Sequence, residues 1–214
     1  MIAATGDRFL IAAAAVQLGQ VLRASGRARV AKPAMVAAAY RIAPPVVESG
    51  TAAELSLCGT LLVQAALAAA AYGHESAVAR LLDEATDMAV RVGDGDDHHR
   101  TGFGATAVDL ARATAAVELG NARDAVAWHE KTIRRDGWLW LPAEHRAAHL
   151  VDAARAYLGA DDPANAARAL LEAERTAPAE IRHRPAARGV LAQVTRAPHA
   201  SATLTQLAVT LGLG

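Results

Sequence analysis

The chain reads as an all-α protein of stacked helical hairpins, about nine or ten helices in its 214 residues. Three observations predict this. Alanine makes up about a quarter of the sequence, whereas aromatic residues supply 4%. Ala, Leu, Arg and Glu favour helix, and the β-branched and aromatic residues that suit a pleated sheet are thin. Apolar residues recur at helical steps, and glycines or prolines punctuate them at short intervals.

The segment 74–92 shows the period best. Val78, Leu81, Leu82, Ala85, Met88, Ala89 and Val92 fall on one stripe, with Arg80, Asp83, Glu84, Asp87 and Arg91 outside it. The same reading predicts helices over 5–24, 29–43, 52–72, 104–119, 122–134, 143–158, 163–176, 179–195 and 202–211. Pro44, Pro45, Pro142, Pro163, Pro178 and Pro198 mark boundaries, because proline cannot donate to a helix interior and clashes with the preceding turn. Grouped in pairs, the helices give hairpins near 5–43, 52–92, 104–134 and 143–176, with capping helices over 179–211. One repeat domain spanning 1–214 is expected.

A glycine stands between the two helices of each pair, in VLRASGRARVA, LAAAAYGHESA, ATAAVELGNARDA and VDAARAYLGADDPANA. The spacing is 47 residues from Gly26 to Gly73, 47 on to Gly120 and 39 on to Gly159. Glycine permits the tight reversal, and a small residue about five positions later lets the second helix approach the first. AVELGNARDAVAWHEKTIRRD and AYLGADDPANAARALLEAERTAP resemble tetratricopeptide repeats, which recur about every 34 residues; the wider spacing here makes the array divergent. That resemblance implies a right-handed superhelical solenoid with a concave groove.

Longer phrases carry a more specific likeness. TGFGATAVDLARATAAVELGNARDAV, LPAEHRAAHLVDAARAYLG, ALLEAERTAPAEIRHRPAARGVL and LTQLAVTLGLG occur in this order. Together they resemble the C-terminal tetratricopeptide-like domain of actinobacterial transcriptional regulators of the XRE helix-turn-helix type, from about Thr5 onward. The likeness implies a regulatory module. The DNA-binding domain of those regulators is expected to be absent, since the sequence opens inside the repeat region. After FG the family reads like PTNVALHR, but here the sequence is ATAVDLAR, so its polar Asn and His positions are Ala107 and Ala111. A ligand contacted through those two side chains would be lost or changed.

Charge and composition narrow the function. Lys plus Arg and Asp plus Glu number 22 each, so there is no global basic footprint and direct nucleic-acid binding is not expected. Cys58, the single cysteine, lies in the apolar run 55–67 and reads as a buried, inert thiol. The apolar stretch 9–16 is short, follows Asp7 and runs on into an amphipathic pattern, unlike a signal peptide. No apolar run approaches the roughly 20 residues of a spanning helix, so no membrane role and a cytoplasmic location are expected.

Candidate sites are few. GDGDDHHRTGFG, residues 93–104, concentrates three aspartates and two histidines, but it fails the calcium-loop pattern at positions five, six and twelve. It reads as a solvated link between hairpins. His145, His149 and Asp152 share one helical stripe, yet the HExxH arrangement is absent, so no metal is expected there either. Trp128, Trp138 and Trp140, with Lys131, Arg134 and Arg135, could clamp a peptide or plug the thin core between hairpins. No nucleophile elbow, phosphate loop or dinucleotide fingerprint appears, so neither catalysis nor a cofactor is expected. If the first helix of each pair lines the groove, Thr60, Val63, Ala107, Leu110, Thr114, Arg146 and His149 point toward it, with Trp140 beside them. The expected occupant is a peptide, a small molecule or a protein partner. A stand-alone interaction scaffold, including a homodimer, is the alternative.

Overall fold

The computed structural model describes residues 2–96, 98–196 and 202–213; Asp97 of the polar link and the expected boundary at Pro198 lie outside them. The described residues form twelve α-helices and no strand. They are α1 (Ile2–Ala24), α2 (Ala28–Ile42), α3 (Ala52–Ala70), α4 (Glu75–Val92), α5 (Ala105–Glu118), α6 (Ala122–Thr132), α7 (Gly137–Trp140), α8 (Ala143–Gly159), α9 (Pro163–Thr176), α10 (Pro178–His183), α11 (Pro185–Thr195) and α12 (Ala202–Thr210). Two 3-10 turns, Val47–Ser49 and His98–Arg100, lie in the links flanking the α3–α4 pair.

The expected helix over 179–195 is two helices. Pro185 lacks the N–H that would continue the first, and it holds Arg184 extended at φ −88° and ψ 119°. The proline then serves as the first residue of α11, where a missing donor costs nothing. The short helix α7 had no periodic signal, since four residues are a single turn.

Contacts divide the chain into two compact units, Met1–Leu119 and Gly120–Gly214, with the division inside the segment expected to be the third hairpin. In the first unit α3 is central and packs against α1, α2, α4 and α5. Its start is fixed by a capping box: the Thr51 hydroxyl accepts from the Glu54 amide at 3.2 Å, and the Glu54 carboxylate accepts from the Thr51 amide at 3.0 Å. Leu55, Leu57, Leu61 and Leu62 are buried with Met35, Ile42, Leu81 and Leu82, each worth about 1.5–3 kcal/mol relative to exposure. By length and composition α3 could cross a bilayer, contrary to the expectation that no run is long enough. Helices cover it on several sides, so its apolarity is that of a core helix.

In the second unit α8 and α9 pair through Ala147, Leu150, Val151, Ala154, Ala166, Leu170 and Ala173, and Ile181, Leu191 and Leu204 close the cluster. Three of the four spaced glycines turn the chain with left-handed backbone: φ is 75° at Gly26, 77° at Gly73 and 82° at Gly120. Gly159 differs. It is the last residue of α8, and the left-handed position of that turn is Asp161, at φ 64°. Its lack of a side chain serves packing, because a Cβ there would lie 2.9 Å from the Ala122 Cβ.

Candidate functional site

The polar link 93–104 is a mechanical clasp in the first unit. Gly93 ends α4 at φ 77°, which turns Asp94 back toward the start of α5. There the Asp94 carboxylate accepts from the Thr106 amide at 2.9 Å and from its hydroxyl at 2.8 Å. It thereby does the work of an N-cap from 12 residues away, at the helix end where negative charge is favoured. A Cβ on Gly104 would come within 2.5 Å of the Asp94 Oδ1 and of the Gly93 carbonyl, so the close approach requires glycine. Phe103 is 3% exposed, and its ring fills the space a Cβ on Gly59 of α3 would occupy. Thr101 completes the link by donating its hydroxyl to the His98 carbonyl at 2.8 Å. Among the described residues no group of three or more His, Cys, Asp or Glu is placed to hold a metal.

Burial places Cys58 among apolar side chains and pushes its thiol up to about 12, which keeps it protonated and inert as a nucleophile.

The most polar buried arrangement lies in the second unit. His129 of α6 and His149 of α8 are each 4% exposed, with His129 Nδ1 and His149 Nε2 2.9 Å apart. One ring must donate and the other accept, and burial keeps both neutral near pH 7. Trp138 meets His149 edge-on with centroids 5.6 Å apart, and Tyr157 meets His129 edge-on at 5.8 Å. Burial lowers both histidine pKa values. His129 pushes the His149 value further down, while Glu130 partly opposes the shift at His129. The other ring nitrogen of His149, Nδ1, is buried without a hydrogen-bond partner among the described residues. One turn earlier on α8, the buried Nε of Arg146 also has none.

The residues expected in the groove divide sharply. Thr60 and Val63 are buried in α3, and the Thr60 hydroxyl donates to the Ser56 carbonyl at 2.7 Å, which leaves little surface for a ligand. Ala107, Leu110 and Thr114 of α5 and Arg146 of α8 are part-buried, His149 is buried against His129, and Trp140 is 62% exposed. Of the proposed histidine stripe, His145 faces solvent and His149 faces His129, while Asp152 pairs with Arg155 at 3.5 Å. Trp138 is half-buried against His149, and Trp128 carries the Lys131 ammonium 4.3 Å from its ring centroid. The tryptophans therefore serve different surfaces.

His129 carries a signal in the sequence that the search for metal and groove residues does not use. With Ala125 and Thr132 it marks the buried face of α6, so a polar ring at that register called for a partner. No family model, curated protein or solved structure matches the chain.

Proposed function

We propose that this chain is a non-catalytic, tetratricopeptide-like solenoid module that senses a peptide or small molecule in the cytoplasm, in the manner of the regulator domains its phrases resemble. The observation that carries the reading is the recurrence of left-handed glycine turns at Gly26, Gly73 and Gly120, 47 residues apart. Equal spacing of one turn geometry is the mark of a helical repeat, and helical repeats act through the surface their stacking creates. Arg146 is the best candidate contact. It is a part-buried guanidinium whose buried Nε lacks a hydrogen-bond partner among the described residues, suited to a carboxylate or carbonyl oxygen. Trp140, exposed in the same unit, supplies aromatic surface in this reading, and no cofactor is required.

Co-purification from the native host followed by mass spectrometry tests the proposal. A stoichiometric peptide or metabolite released on denaturation is the expected result. A bound compound that the protein converts into a product would overturn the non-catalytic reading.

A further inference from the structure

Helix α1 is apolar on two faces. Ala12, Val16 and Gly19 turn inward, where a Cβ on Gly19 would lie 2.2 Å from the Met35 sulfur. On the other face Ile11, Ala14, Leu18 and Val21 are exposed, by 50% at Ile11, 55% at Leu18 and 64% at Val21. Helix α4 of the same unit shows the ordinary arrangement, with Arg80, Asp83, Asp87 and Arg91 outward. The outward residues of α1 recur at steps of three, four and three, the seam by which one helix packs against another. No Asp, Glu, Lys or Arg stands between Arg8 and Arg23, so covering the seam buries no charge.

We infer that the outer face of α1 is the interface for a second copy of this chain, with the two α1 helices antiparallel about a twofold axis at Val16. The sequence is self-complementary in that arrangement. Ile11 and Val21 are equidistant from Val16, as are Ala14 and Leu18. Each Leu18 then meets the small Ala14 of the other copy, and each Ile11 meets Val21. Parallel pairing would instead set leucine on leucine and leave a gap between alanines. Arg8 is already paired with Glu54 at 3.4 Å, which moderates its approach to Arg23 of the other copy. With Leu10, 71% exposed, the seam offers roughly 500 Å² per copy, about 1,000 Å² in the pair, the lower bound for a specific interface. Such an area predicts a reversible dimer. This inference is independent of the ligand-sensing reading, which concerns other surfaces.

Sedimentation equilibrium of the full chain tests it, with Leu18→Glu as the variant; because Leu18 is exposed, the substituted chain should keep its helical circular dichroism and, at concentrations where wild type is monomeric, its melting temperature. Wild type should show a concentration-dependent monomer–dimer equilibrium, and Leu18→Glu should weaken it by at least about tenfold. Mixing an Ala14→Cys chain with a Leu18→Cys chain should give intermolecular disulfides faster than either chain alone. Wild type that stays monomeric, a dimer indifferent to Leu18→Glu, or faster crosslinking of like with like would each overturn the inference.

Discussion

His129 Nδ1 and His149 Nε2 share a hydrogen bond of 2.9 Å between α6 and α8, made by two neutral imidazoles that are almost completely buried. Both pKa values are lower in the folded chain than in the unfolded one, by burial first. The unfolded chain therefore takes up protons below about pH 6.5 that the folded chain refuses. Stability is fully present above that pH and is lost as the pH falls. The loss is up to about 1.4 kcal/mol per pH unit for each histidine. Urea unfolding between pH 7.5 and pH 4.5 should show the midpoint falling on the acid side, and the double variant His129→Phe, His149→Phe should flatten that fall.

Phe103 and Gly59 form a matched pair: the ring occupies the volume that any side chain at Gly59 would need, with Phe103 Cζ 2.1 Å from an added Cβ. Phe103→Ala should cost about 3–5 kcal/mol by opening a cavity, and Gly59→Ala about 1–3 kcal/mol by overpacking. The two are coupled, so Gly59→Ala should cost less in the Phe103→Ala background than in wild type. Thermal denaturation of the four proteins of the cycle gives the coupling directly.

Asp94 is the cap of α5, and its removal exposes the mechanical role of the link. Asp94→Ala should destabilise the protein by about 0.5–2 kcal/mol, the range for losing a capping side chain. Hydrogen exchange should quicken at Thr106 and its neighbours in the first turn of α5. Asp96→Ala, at an exposed position of the same link, should leave both stability and exchange unchanged.

Helices were legible wherever a stripe ran three turns or more. The α4 stripe from Val78 to Val92 is the clearest case, and α9 begins and ends where Pro163 and the residues before Pro178 place it. Glycine turns were legible as spacing, although Gly159 resembles the others in sequence while acting in packing. The break at Pro185 is masked in the sequence because the apolar period continues across it, from Ile181 to Val190 and Val194. The candidate site was harder to read. The carboxylates of the polar link drew attention as chemistry, yet Asp94 finds its partner 12 residues away in a way no local pattern announces. The pairing of His129 with His149 joins positions 20 residues apart, set by how α8 folds back on α6. Thr60 and Val63 show the remaining limit: every residue of α3 from Leu55 to Val63 is buried, because α1, α2, α4 and α5 all pack on that helix, and no local pattern announces how many helices will cover it.

The central claim, that the chain acts by binding, is tested most directly by calorimetry. The compound recovered by co-purification is titrated into wild type and into Arg146→Ala. Saturable binding near one equivalent, weakened at least about tenfold by the substitution with no product formed, is the predicted result. Equal affinity in both proteins, or chemical turnover of the titrant, would contradict the account.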